Sequence, residues 1–336
     1  MKPDDGYIAY IVNPKSGASS GEKLPGWWFE QYLIGRGYDV RTNLTCSLEH
    51  ACELATDAAA DKNCAMVVVV GGDGTVREVA HGLARLGEGA GVAKEGTETP
   101  SRSRAGSNKP LLIVPGGTEN LLANELGLDK TLRTLTRTFE AGFTRTLDLG
   151  NANGRCFTSI AGFGFDGEVV EGVSQNRTGH ITYFDYFWPL WRTFWRYRFD
   201  KMKVEVDGVQ IFDGPGLVFV GNISRYAIGL NILENADYSD GLLDVCIYKC
   251  ACRTHLVKHS VITILKQHTR CRDVIYRQGK SITVSSDNPN LSTEIDGDPG
   301  PAVPVHISVI PGAVQVMVPE GAKPAGIRAQ ILRALR

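Results

Sequence analysis

The stretch Met66-Val67-Val68-Val69-Val70-Gly71-Gly72-Asp73-Gly74-Thr75 decides the architecture. A near-continuous β-branched run is what a strand buried on both faces of a parallel sheet requires. The small residues after it end the strand, and Val76–Leu86 resumes with helical period. The same rhythm recurs on both sides. Tyr7–Val12 runs into Asn13-Pro14-Lys15-Ser16-Gly17, Leu24–Arg36 reads as a helix closed by Gly37, Asp39–Thr45 is strand-like, and His50–Asp61 is helical in composition. Leu111–Val114 ends in Pro115-Gly116-Gly117-Thr118, ahead of a helical Glu119–Leu126. Strand, loop and helix in repetition imply a parallel α/β layer.

Gly87–Lys109 interrupts the rhythm with Gly, Ser, Thr, Arg and Lys and almost no large apolar residue, so it is expected to be a disordered surface insertion. After Asp148 the pattern changes. Cys156–Ala161, Lys203–Val206, Gly216–Val220, Leu243–Tyr248, Ser281–Ser285 and Val305–Ile310 read as short strands between turn signals, with helical segments near Thr182–Tyr197 and Thr254–Gln267. The expected plan is an α/β domain over 1–148, a mostly β domain over 149–312, and a segment 313–336 that returns to the first domain.

Composition sets the outer limits. The 336 residues, 43% hydrophobic and 22% charged, suit two globular domains with a sizeable core. Lys and Arg number 36 against 37 Asp and Glu, a net charge of -1, so no nucleic-acid partner is expected. The longest purely apolar stretch, Ala65–Val70, is far short of the about 20 residues a membrane span needs. The N-terminal Met1–Gly6 lacks an apolar signal region. The eight scattered cysteines fit reduced thiols, so a cytoplasmic location is expected. Cys250, Cys252, His255, His259, His268 and Cys271 lie close in sequence, but their spacing matches no common zinc pattern; a strand end followed by a helix with solvent-facing histidines is the expectation.

Three strand ends of the first half carry small-residue loops, at Asn13–Gly17, Gly71–Thr75 and Gly116–Asn120. In an open parallel sheet ligands bind there, because glycines let backbone N–H groups approach phosphate oxygens beside helix N-termini. These loops, with Glu78, Asp148-Leu149-Gly150, Ala161–Asp166, Asp237–Asp244 and Asp296-Gly297-Asp298, resemble in order the diacylglycerol kinase catalytic domain, whose family also holds sphingosine and ceramide kinases. NAD kinases and phosphofructokinases carry loops similar to Gly71–Thr75 alone. The resemblance implies an NAD kinase- and phosphofructokinase-like α/β domain followed by a β-sandwich.

It also implies ATP and Mg²⁺ as cofactors and a lipid substrate, most directly diacylglycerol. Nucleotide contacts fall to Asn13, Lys15, Ser16, Gly72, Asp73, Gly74, Thr75, Gly117, Thr118 and Asn120, although Glu119 and Leu121 depart from the family's usual Gly and Asp. Asp237, Asp240 and the carbonyl of Leu242 match a structural Mg²⁺ site of some bacterial members. Asp298 stands where the family's general base is usually Glu, and Asp73 and Asp148 are candidates for the catalytic Mg²⁺ network.

Ten aromatic residues crowd Tyr183–Phe199, with Phe184, Phe187, Trp188, Trp191, Phe194 and Trp195 on one helical face and Arg192, Arg196 and Arg198 among them. An aromatic face with basic flanks suits a peripheral membrane surface. Ile327, Ile331 and Leu335, with interleaved arginines, give the tail a similar pattern. A homodimer is also possible.

Overall fold

The computed structural model describes residues 6–16, 24–85, 108–175 and 183–322. The chain divides into two compact units. Among the described residues, the first comprises those up to Gly117, Leu126–Leu147 and Gly312–Ala322, and the second comprises Thr118–Glu125 and those from Asp148 to Pro311. The first unit is therefore not one continuous span 1–148: Thr118–Glu125 packs with the second. The insertion at 87–107 and the tail at 323–336 lie outside the described residues, and of the basic and apolar patterns read there nothing further follows.

The first unit begins β1 (Tyr7–Val12), α1 (Trp27–Gly35), β2 (Asp39–Leu44), α2 (Leu48–Ala60), β3 (Cys64–Gly71), α3 (Asp73–Arg85) and β4 (Leu111–Pro115). The strands lie parallel in the order β4, β3, β1, β2. Every residue of β1 and β4 is buried, and β3 buries all but one, which is why their sequences alternate so little. Ser47 caps α2 by accepting the His50 N–H, and Ala51, Ala55 and Ala59 turn inward. The short α4 (Leu121–Glu125) falls in the second unit. In the first, α5 (Leu132–Ala141) is capped by Thr131 and ends at Gly142 with φ 67°.

The chain passes to the second unit within β5 (Thr144–Ala152) and continues with β6 (Arg155–Phe157), β7 (Ile160–Phe163), α6 (Phe165–Gln175), α7 (Tyr183–Arg196), β8 (Lys201–Val206), β9 (Val209–Gly221), β10 (Leu243–Lys249), α8 (Arg253–Ile264), β11 (Val274–Gly279), β12 (Ser281–Ser286), β13 (Thr293–Ile295), β14 (Asp298–Pro299) and β15 (Val305–Met317). The expected strand Cys156–Ala161 is two, because Thr158 and Ser159 turn their N–H groups to a side chain, as described below.

Two antiparallel sheets share β9. Its first half pairs β8, which pairs β12, which pairs β15; its second half pairs β7 and β10. The strand changes sheets around Gly214-Pro215-Gly216, where a Cβ on Gly216 would lie 2.8 Å from the Tyr248 carbonyl. Val204, Val218, Val245, Ile247, Ile282 and Ile307 fill the sandwich between the sheets. The alternate residues Leu217, Phe219, Cys246 and Tyr248 face a second core with Tyr197 and Leu256, from the end of α7 and from α8. Period-two alternation with apolar residues on both faces thus marks a sheet covered on both sides.

Candidate active site

In the first unit the three small-residue loops are held against one another. Asn13 donates its N–H to Val70 O (2.9 Å) and its Nδ2 to Thr75 Oγ1 (2.9 Å), while its Oδ1 accepts the Lys15 N–H (2.9 Å). Ser16 Oγ returns to Asn13 O (2.8 Å). The Gly116 N–H donates to Gly71 O (2.8 Å). The packing admits no side chain: a Cβ on Gly71 would lie 2.6 Å from Thr75 Cβ, and one on Gly116 would lie 2.9 Å from Ser16 Oγ and 3.2 Å from Gly71 Cα. Asp73 is the first residue of α3, so the Gly71–Thr75 loop merges into the helix N-terminus, three residues earlier than its period predicts. This end of the sheet presents the N-terminus and dipole of α3 and the exposed Lys15, an arrangement suited to phosphate. Lys130 Nζ donates to Gly117 O (3.1 Å).

Thr118 and Asn120 belong to the second unit, where Asn120 is buried with φ 51°. There Glu125, which sequence reasoning passed over, is buried and accepts from Ser224 Oγ (3.0 Å) and pairs with Arg225 (3.5 Å). Burial pushes its carboxyl up despite these partners.

The second unit gathers the aspartates read from sequence into two groups. In one, Asp148 is buried; its Oδ2 accepts the Gly241 N–H (2.6 Å), its N–H donates to Tyr238 O (2.7 Å), and its carbonyl accepts Asn222 Nδ2 (2.6 Å). Asp148 thereby holds the Asp237–Leu242 loop. Within that loop Asp237 Oδ1 accepts the Ser239 N–H and hydroxyl, and Asp240 Oδ1 accepts the Leu242 N–H (3.0 Å). Asp244 is taken up by Tyr276 and Gln278 (2.6 and 3.0 Å).

The other group surrounds Asp298. Asp296 and Gly297, at φ 49° and 79°, form the two-residue turn between β13 and β14 and place Asp298 opposite Ile295. The Asp296 carboxylate accepts the N–H groups of Thr158, Ser159 and Ile160 at 2.9, 2.9 and 3.0 Å, which separates β6 from β7. Glu294 Oε2 accepts the Gly297 N–H (2.8 Å). Its Oε1 and Asp166 Oδ2 converge on Gly162, where a Cβ would lie 2.8 and 2.7 Å from them. Burial, then the charge of Asp166, raises the Glu294 carboxyl well above the usual range, and burial raises Asp166 too. Carboxyls set side by side away from water oppose each other's ionisation. Asp298 itself lies 3.9 Å from the Arg155 guanidinium.

On α7, Trp188, Trp191 and Trp195 are 67%, 50% and 54% exposed, and Arg192 and Arg196 are exposed with them. Phe194 departs from the expected common face: it packs on the second core. The side chains of Phe184 and Phe187 lie outside the described residues. Of the helix histidines expected to face solvent, His255 is exposed but His259 is buried; the Nε2 atoms of His259 and of His268, beyond the helix, bond the Lys249 and Ile232 carbonyls (3.0 and 2.9 Å) beneath Tyr248.

Residues 8–152 match the diacylglycerol kinase catalytic domain, and residues 159–318 match the YegS C-terminal NAD kinase beta sandwich-like domain. The chain belongs to the diacylglycerol kinase catalytic-domain family. As a member it is a lipid kinase. It is 29% identical over 321 residues to a diacylglycerol kinase of Mycobacterium tuberculosis, covering 94% of this chain and 96% of the relative. It is 24% identical over 313 residues to one of Bacillus subtilis, covering 92% and 95%. A crystal structure of a diacylglycerol kinase from Bacillus anthracis str. Sterne shares the fold at a TM-score of 0.64 and 20% identity, covering 94% and 98% of the two chains. No helix among the described residues of this lipid kinase is long and apolar enough to cross a membrane.

The donor chemistry of the Asp237–Leu242 loop fits a hard cation. Its donors are all oxygens, and the Ser239 contacts occupy Asp237 Oδ1, leaving Oδ2 as the oxygen that a cation would take.

Proposed function

We propose that the protein transfers the γ-phosphoryl group of ATP to the primary hydroxyl of diacylglycerol, with Mg²⁺. The observation that carries this reading is the close-packed cradle of Asn13, Ser16, Gly71–Thr75 and Gly116 at the ends of three adjacent parallel strands, in a chain of this kinase family. Asn13, Lys15, Ser16, Gly72, Asp73, Gly74, Thr75, Gly117, Thr118 and Asn120 are the nucleotide contacts of this reading. Asp298 accepts the proton of the lipid hydroxyl. The hydroxyl oxygen bonds to the γ-phosphorus while the bond to the β–γ bridging oxygen breaks, and that electron pair leaves with ADP. Asp237, Asp240 and the Leu242 carbonyl would hold a structural Mg²⁺, with Asp73 and Asp148 organising the catalytic one. When bound, the cation neutralises phosphate charge.

The lipid is met at a peripheral membrane surface. Trp188, Trp191 and Trp195, with Arg192 and Arg196, support this, and α8 adds a second exposed apolar stripe at Val257, Val261 and Ile264. Arg253, which opens α8, joins the two helices by donating Nε to the Phe194 carbonyl (3.0 Å). Tryptophan beside arginine suits the headgroup region.

The test is labelled ATP with Mg²⁺ and separate vesicles containing diacylglycerol, a sphingoid base or ceramide, with NAD as a soluble acceptor. Label in phosphatidate is expected. Label in another product reassigns the substrate, and nucleotide binding without transfer to any acceptor makes the chain a silent binding protein.

A further inference from the structure

Among the described residues, one thiol, one imidazole and one carboxylate converge as a possible metal-ligand set, outside the loops described above. It lies in the first unit where α2 crosses α3. Cys52 Sγ is 3.9 Å from His81 Nδ1, the same nitrogen is 3.8 Å from Glu78 Oε2, and the three ligand atoms all lie within 4.8 Å of one another. Tetrahedral zinc with bonds of about 2.0–2.3 Å spaces its ligands by roughly 3.4–3.8 Å. Movements of a few tenths of an ångström to about one ångström close the site.

The backbone beneath it is already fixed. A Cβ on Gly82 would lie 2.4 Å from the Cys52 carbonyl and 2.8 Å from Ala55 Cβ, so α3 approaches α2 as closely as only glycine permits. Thr56 Oγ1 donates to both the Cys52 carbonyl (2.9 Å) and the Gly82 carbonyl (3.3 Å), bracing the crossing at that level. Glu78 is oriented from behind: Arg77, 1% exposed, holds Oε1 at 3.0 Å, and Oε2 is left toward His81. Hydrogen-bonded support of a ligating carboxylate is what metal sites use to set ligand geometry. His81 is half-buried, with 27% of its side chain open to solvent, so water can fill the fourth position.

We propose that Cys52, Glu78 and His81 form a zinc site that clamps α2 to α3. Cys52 supplies sulfur, His81 supplies Nδ1, Glu78 supplies Oε2, and solvent completes the tetrahedron. Sulfur with imidazole and carboxylate selects zinc over the hard Mg²⁺ that the phosphate chemistry uses.

The test uses the full chain, freed of metal by chelation, and Zn²⁺ alone as the probe, with Co²⁺ as its spectroscopic substitute. One equivalent of Zn²⁺ per chain is expected, raising the melting temperature, and Co²⁺ should give a thiolate charge-transfer band with tetrahedral ligand-field bands. Cys52→Ser should abolish the charge-transfer band. His81→Asn should weaken zinc binding beyond the about 10–100-fold that outer-shell changes cost. Cys46→Ser, at an exposed thiol nearby, should change neither. Circular dichroism of the metal-free variants separates a lost ligand from a lost fold; Cys52→Ala replaces any serine variant that does not fold. Absence of stoichiometric zinc overturns the proposal, as does binding that survives both ligand substitutions or follows Cys46. None of these readouts depends on phosphoryl transfer.

Discussion

The small-residue loops of the first unit and the aspartate turns of the second are both built from Gly and Asp, and they use them oppositely. In the first unit glycine removes side chains so that backbones meet: Gly71 and Gly116 have no room for a Cβ, and the Gly116 N–H bonds the Gly71 carbonyl directly. In the second unit the aspartates consume backbone N–H groups themselves. Asp296 takes three, Asp148 takes that of Gly241, and Asp240 takes that of Leu242. A carboxylate in this second region is therefore part of the frame unless its geometry shows otherwise. Asp298, two residues beyond Asp296 and turned toward Arg155, is the member that the frame positions.

The hardest way to break this contrast is at Asp298. Asp298→Asn should lower phosphoryl transfer by about 10²–10⁴-fold, the range of general-base catalysis, and leave nucleotide affinity within a few-fold, measured by initial rates and calorimetry. Near wild-type turnover would move the base elsewhere. Asp296→Ala tests the frame: with three N–H donors left without their acceptor, a loss of about 3 kcal/mol in urea unfolding is expected. Gly71→Ala tests the cradle. Overpacking against Thr75 should cost about 1–3 kcal/mol, and nucleotide affinity should fall with it, whereas lipid-vesicle binding should not. Replacing Trp191 and Trp195 together by Ala should reverse that pattern, weakening vesicle co-sedimentation about tenfold, or about 1.4 kcal/mol, with nucleotide affinity intact.

The last test concerns the proton held on Glu294. The folded-state pKa of Glu294 is raised, so between its ordinary value and the raised one the folded chain holds more protons than the unfolded chain. Its contribution to stability is then full at low pH and is lost as pH rises through the folded pKa. Glu294→Gln keeps an acceptor for the Gly297 N–H and a donor for Asp166. It should flatten this decline, by up to about 1.4 kcal/mol per pH unit, in melts across pH 5 to 8 (roughly the span of maximal stability). A decline as steep as wild type would place the proton on another group.

Much of the first unit was legible because local signals agree there. Val67–Val70 is apolar without alternation, a small-residue loop follows, and each strand is finished by contacts with residues near in sequence or on the next strand. Helix α3 was legible too, but not its start, because Asp73, Gly74 and Thr75 serve as loop and first turn together. In the second unit β13 and β14 are only three and two residues long, too short for periodicity to register. Glu294 reads as a polar residue in a strand; only the antiparallel partner Gly162 and the neighbouring Asp166 show why it is buried. Glu125 is meaningful only beside Ser224 and Arg225, about a hundred residues away.

The sequence by itself determined the α/β and β-rich halves, the three loops at strand ends and the family, since each rests on residues close along the chain. Tertiary structure alone decided which aspartates are spent on backbone N–H groups, which tryptophans face outward, and that Cys52 meets Glu78 and His81. Those outcomes depend on burial and on pairings between distant segments, and neither is a property of any local stretch.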